Sequence, residues 1–122
     1  MKGEMSFFKS RSHPRFSVSL PIEYWRVDSF KRHTGRTANI SENGMLIYVP
    51  EQIDAGKNLR LKIFFSIRLE MDFIEALVQV VWNNGYWRNE GGYQIGMKYV
   101  GIAPGDTNKL KSFLNNLTSC NY

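Results

Sequence analysis

Two arginines, Arg11 and Arg15, carry the most chemically capable groups in the chain, within the run Arg11-Ser12-His13-Pro14-Arg15. A guanidinium presents a planar fork of N–H donors that can grip a phosphate, or the O6/N7 edge of a guanine, through two parallel hydrogen bonds; a lysine ammonium lacks that geometry. On a helix this spacing would put both side chains on one face. Pro14 argues against the helix, because it removes a backbone donor and biases His13 toward extended backbone. The expectation is two forks on an extended loop, suited to a doubly anionic guanine nucleotide. Taken alone, the spacing is far better explained by two solvated arginines at a domain edge.

A second polar cluster follows some two dozen residues later, Asn39-Ile40-Ser41-Glu42-Asn43-Gly44, between two apolar runs. It reads as a turn between strands. Asn39 offers an amide that donates and accepts, Ser41 a hydroxyl that does either, and Gly44 a position open to positive φ or close backbone approach. Such residues also favour turns for purely local reasons. Together, Arg-x-x-x-Arg followed by Asn-x-Ser-x-x-Gly resembles the PilZ domain, whose signature is these two elements in this order, with Asp or Asn at the first place of the second. The resemblance implies a receptor for cyclic di-GMP and not an enzyme, with no cofactor or metal. Arg11 and Arg15 would clamp phosphates and guanine edges, Asn39 and Ser41 would hydrogen-bond a guanine, and Gly44 would let the ligand lie close. Because no output domain follows, the expected signal leaves through an unidentified partner protein, the family's usual targets being motility, polysaccharide and adhesion machinery. Members with a further arginine just before the first take up two intercalated ligands; here Ser10 stands there, after Lys9, which leaves one or two molecules open.

The elements that would position these residues are mostly strands. Phe16, Val18, Leu20, Ile22 and Tyr24 alternate with polar residues or proline, a period of two that marks a half-buried strand, with an edge or bend at Pro21. Residues 26–34 read as a loop, 35–40 and 45–49 as short strands, and 51–57 as a connection. From Leu59 to Phe73 the alternation continues in one phase, and ordinary strand lengths favour two strands joined near Ser66. Ala76 to Trp82 reads as a buried strand, Asn83-Asn84-Gly85 as a hairpin signal opening a loop to Gly92, and Tyr93 to Tyr99 as the last strand. Beyond Pro104 the period changes: Asp106 is the expected N-cap, and Leu110, Phe113, Leu114 and Leu117 form an amphipathic stripe over 106–118. The expectation is a small, mostly antiparallel β-barrel with a C-terminal α-helix. The resembled family is a six-stranded barrel with that ending, and Tyr93 to Tyr99 followed by a helix is similar to its close. The chain thus divides into a flexible basic arm, 1–15, and a barrel with its helix, 16–122.

Composition narrows the classes. At 122 residues, with 43% hydrophobic and 22% charged residues, one globular domain is expected. The net charge of +5 suits an anionic partner, and Lys2, Lys9, Arg11 and Arg15 against Glu4 concentrate it in the arm. Cys120 is the lone cysteine, which excludes an intrachain disulfide and a cysteine-based zinc site. With no signal-peptide h-region and no apolar run of about eighteen residues, the expected location is the cytoplasm, without membrane insertion.

Catalysis finds little: Ser41 lacks a Gly-x-Ser-x-Gly elbow, and His13 and His33 fall in expected loops without a partner. Glu70 and Asp72 share a strand face that reads as solvated. An OB-like barrel binding single-stranded nucleic acid through Trp25, Tyr48, Trp82 and Trp87 is the alternative, weakened because most aromatics keep the core's phase. A third reading, a ligand-free interaction module, draws on Tyr86-Trp87, which either anchor a partner or fold back over the barrel mouth.

Overall fold

The computed structural model describes residues 14–119. Six strands, β1 (Pro21–Arg26), β2 (His33–Ile40), β3 (Gly44–Val49), β4 (Asn58–Ile67), β5 (Glu70–Trp87) and β6 (Gly92–Ile102), are followed by the helix α1 (Pro104–Ser119). The strands close into an antiparallel barrel in the order β1-β2-β3-β6-β5-β4, sealed by β1 against β4. Closure leaves no open sheet edge. The expected six-stranded barrel with its terminal helix is what forms. The inward phase of every strand supplies the core: Ile22, Tyr24, Ile40, Met45, Ile47, Leu59, Leu61, Ile63, Ile74, Val78, Val80 and Ile95 are buried. Leu110, Phe113 and Leu114 seat α1 on that core, with Phe113 packed 4.8 Å from Phe65. No helix among the described residues is long and apolar enough to cross a membrane.

Tertiary context moved several boundaries. Residues 16–20 do not join β1. Phe16 instead exchanges backbone hydrogen bonds with Ile40, and the Thr37 hydroxyl, fully buried, accepts from Leu20 N and donates to Val18 O. A buried side chain thereby satisfies backbone groups that no strand partner reaches. The second strand pair is joined at Arg68-Leu69, two residues beyond Ser66, with φ of 53° and 71°. These left-handed values build the tight two-residue turn that matches strand twist.

From Glu70 the strand runs unbroken for 18 residues, so the separate strands expected at 67–73 and 76–82 are one. Asn83-Asn84-Gly85 is not a hairpin. Asn83 Oδ1 accepts from Gly85 N at 2.7 Å, Gly85 takes φ 81°, and the register against β6 shifts there, so the signal makes a bulge. The chain reverses later, through a short 3₁₀ turn at Arg88–Glu90 closed by Gly91. A second bulge lies between Val80 and Trp82, and it leaves Trp82, expected in the buried strand, 40% exposed.

Asp106 does not cap α1. Pro104 begins the helix, where its missing N–H costs nothing, and Asp106 Oδ2 accepts from Glu75 N at 2.9 Å, tying α1 to β5. His33 opens β2 rather than lying in a loop. Its ring stacks on Tyr24 at 4.9 Å, and its Nδ1 lies 3.4 Å from Glu51 Oε2.

Candidate ligand-binding site

The antiparallel bridge between Phe16 and Ile40 fixes the site, because it brings the residues just before Phe16 beside those just around Ile40. Arg15 leaves that bridge exposed and donates from Nη1 to Asn39 Oδ1 at 2.8 Å. Its fork keeps its remaining donors, and among the described residues it makes no ion pair. Asn39 in turn spends its carbonyl oxygen on Arg15 and keeps its amide N–H groups for another acceptor.

The turn after β2 is built around Ser41, which is buried. Its Oγ accepts from Asn43 N at 3.1 Å and Gly44 N at 3.3 Å, while Ser41 N donates to Gly44 O at 2.9 Å. From β6, Tyr99 clamps the same turn: its backbone N donates to Asn43 O at 3.1 Å and its hydroxyl to Ser41 O at 3.3 Å. Burial pushes the Tyr99 phenol well above its ordinary pKa, so it stays a donor. Gly44 is required by packing. A Cβ there would sit 2.1 Å from Met97 O and 3.1 Å from Lys98 Cα, so a side chain would pry β3 from β6. Exposed Lys98, paired in register with Gly44, adds a cation beside the turn.

Arg15, Asn39, Ser41 and Gly44 therefore converge at one end of the barrel. Arg11 and His13 lie outside the described residues. The family model for the PilZ domain matches residues 9–116. This chain belongs to the PilZ domain family. Three solved structures share the PilZ fold. The inhibitor of motility MotI (DgrA) of Bacillus subtilis aligns with a TM-score of 0.78 over 93% of this chain at 19% identity, and this chain spans only 53% of MotI. The PilZ domain of YcgR from Escherichia coli, with c-di-GMP, gives a TM-score of 0.66 at 10% identity, covering 90% of this chain and 92% of that one. The PilZ domain of CeSA from a cellulose-synthesizing bacterium gives 0.59 at 12% identity, covering 86% and 98%. No curated protein matches the sequence.

Within this PilZ barrel, sequence reasoning missed Thr37, which pins the 16–20 segment, and Tyr99, which pins the turn. No period of two marks Thr37, which lies three residues before buried Ile40 and shares its inward face only through the register shift between Thr37 and Asn39. Nothing local marked Tyr99. The Tyr86-Trp87 pair partly folds back: Trp87 meets Tyr48 edge-on at 6.3 Å and Tyr86 meets Tyr93 at 5.3 Å, yet the two remain 43% and 58% exposed. At the far end, Arg36 lies over Tyr48 at 4.6 Å and bonds Glu90 at 2.9 Å, so that guanidinium is already engaged.

Proposed function

We propose that this PilZ domain is a cytoplasmic receptor for cyclic di-GMP, and not an enzyme, with Arg11, Arg15, Asn39, Ser41 and Gly44 as its site. One observation carries the reading: the bond from Arg15 Nη1 to Asn39 Oδ1, 2.8 Å long, joins the two motif halves across 24 residues. Guanine offers only acceptors on its O6/N7 edge, and the free donors of Arg15 and Asn39 meet that demand from one direction. Phosphate charge falls to the arginines and to Lys98. Ser41 acts by shaping the turn rather than by reaching out, since its hydroxyl is committed there. Gly44 acts by letting β3 and β6 approach, which sets the floor on which the ligand lies.

In this reading residues 1–15 are the switch. Arg15 is tied to Asn39 by its hydrogen bond, so the closing step in this reading belongs to Arg11 and the residues before it, drawn in by a dianion that both arginines contact only in the closed state. That rearrangement is what a downstream protein reads, and motility, polysaccharide or adhesion machinery is the proposed class of target.

Isothermal titration of the full chain with cyclic di-GMP, beside cyclic di-AMP and GTP, tests the reading. Saturable binding of cyclic di-GMP alone supports it. No heat at tens of micromolar, together with salt-sensitive binding of single-stranded DNA, would replace it with the OB-like alternative.

A further inference from the structure

We propose that the outer face of β1, β4 and β5 docks a peptide segment of a partner protein in which acidic and aliphatic residues alternate. Tyr24, Leu59, Leu61, Ile63, Ile74 and Ala76 point into the core. Their strand neighbours Trp25, Arg60, Lys62, Phe73, Glu75 and Leu77 therefore point outward. The register joins Trp25 to Arg60, Arg60 to Leu77 and Leu77 to Gly101 in one row, and Glu23 to Lys62 and Lys62 to Glu75 in the next. In the closed strand order β4, at the centre of this face, lies across the barrel from β3, which carries Gly44. The surface is thus separate from the turn assigned to the ligand.

Two cations stand on this face without a counter-charge. The Arg60 guanidinium lies over Trp25 at 5.2 Å, and Lys62 Nζ lies 4.8 Å from the Phe73 ring and 5.9 Å from that of Trp25. Lys62 is flanked in register by Glu23 and Glu75, yet Glu23 pairs with Arg32 at 3.3 Å instead. Among the described residues neither Arg60 nor Lys62 makes an ion pair. The rings hold two long side chains in place, so a carboxylate arriving there meets donors that have already given up part of their rotamer freedom. Beside them a groove of about 350 Å³ is lined by Arg60 and Glu75 together with the apolar Ala76, Leu77, Ile102 and Ala103. Gly101 keeps it open. A Cβ there would touch Leu77 Cβ at 3.6 Å, and the bare backbone leaves Leu77 38% exposed. An apolar slot next to two unneutralised cations is complementary to an aliphatic side chain with acidic neighbours. Single-stranded nucleic acid fits less well, because the cations already cover Trp25 and Phe73, Phe64 stacks on Phe73 at 5.9 Å, and exposed Glu75 would face phosphates.

The test is fluorescence anisotropy on the full chain with three labelled peptides, alternating Glu with Leu, Gln with Leu, and Lys with Leu. The Glu–Leu peptide is expected to bind saturably and the other two more weakly, the Lys–Leu peptide least. Arg60→Gln/Lys62→Gln is expected to weaken the Glu–Leu peptide roughly 5- to 10-fold, as two partly exposed charge pairs would, with the melting temperature unchanged. Gly101→Val, which fills the groove from a position where a Cβ makes only ordinary contact, is expected to weaken the Glu–Leu and Gln–Leu peptides alike. Absence of saturable Glu–Leu binding, equal binding of the Glu–Leu and Lys–Leu peptides, or a double variant within twofold of the unaltered chain overturns the inference. Displacement of the Glu–Leu peptide by a more tightly held oligothymidine strand overturns it in favour of nucleic acid. If Gly101→Val fails to fold, the charge variant decides. No arm uses cyclic di-GMP, so failure of the receptor reading and failure of this inference are read separately.

Discussion

Arg15 donates to Asn39 Oδ1 at 2.8 Å, and that bond does two jobs at once. It ties down the guanidinium, and it occupies the Asn39 amide oxygen, leaving the amide N–H groups for another acceptor. The two residues act as a unit. Arg15→Ala is expected to weaken cyclic di-GMP binding on the order of 10- to 100-fold, from about 1.5–3 kcal/mol per lost charge-assisted bond. Asn39→Ala is expected to lose less, and the double variant less than the sum of the two. Strict additivity in titration would show that the bond does not orient the site. Unfolding of the ligand-free protein is expected to stay within about 0.5 kcal/mol for Arg15→Ala, since the side chain is exposed.

Gly44→Ala is expected to behave in the opposite way. Its methyl would meet Met97 O on the neighbouring strand, and a backbone atom cannot step aside as a flexible side chain can. Overpacking of this kind costs about 1–3 kcal/mol. Chemical denaturation without ligand reads it directly. A midpoint equal to that of the unaltered chain would mean that β3 and β6 have slack the structure does not show.

Thr37→Val keeps the shape and removes the hydroxyl that serves Leu20 N and Val18 O. Leaving those buried groups unpaired is expected to cost about 1–3 kcal/mol. The change also loosens the segment that delivers Arg15, so hydrogen exchange at Leu20 is expected to accelerate and ligand affinity to drop. Slow exchange at Leu20 in Thr37→Val would assign the anchoring to the Phe16–Ile40 bridge instead.

The Glu51 carboxylate gives the barrel an acid-sensitive joint. Burial alone would raise its pKa, but hydrogen bonds from Tyr24 at 2.8 Å and Arg26 at 3.0 Å, with the charges of His33 and Arg26, hold it below its ordinary 4.5. A folded pKa below the unfolded one means that the carboxylate contributes stability above about pH 4.5, lost as pH falls through the lower folded value. The side chain is 32% exposed, so solvent screening keeps the contribution small. Glu51→Gln is expected to lower the melting temperature at pH 7 and to flatten its decline as pH falls below about 4.5. An unchanged acid limb in thermal melts would place the sensitivity elsewhere.

Both motifs that resemble the PilZ signature were legible in the sequence because their chemistry is local: guanidiniums four apart around a proline, and an Asn-x-Ser-x-x-Gly turn. Most strands were legible too, since a half-buried strand writes its period of two into the chain, and Leu110, Phe113, Leu114 and Leu117 wrote the helix. The meeting of Arg15 with Asn39 was not, because it depends on the pairing of Phe16 with Ile40, a long-range register that no local pattern encodes. Gly44 looked like a turn glycine or a ligand contact, and the Met97 carbonyl that forbids a side chain there lies on a strand over fifty residues away. Trp82 shows the limit most sharply. Alternation from Ala76 through Val78 and Val80 puts it in the core, and a single extra residue, Val81, reverses its face. A strand's faces exchange with every residue inserted, and whether a residue is inserted is decided by the partner strand.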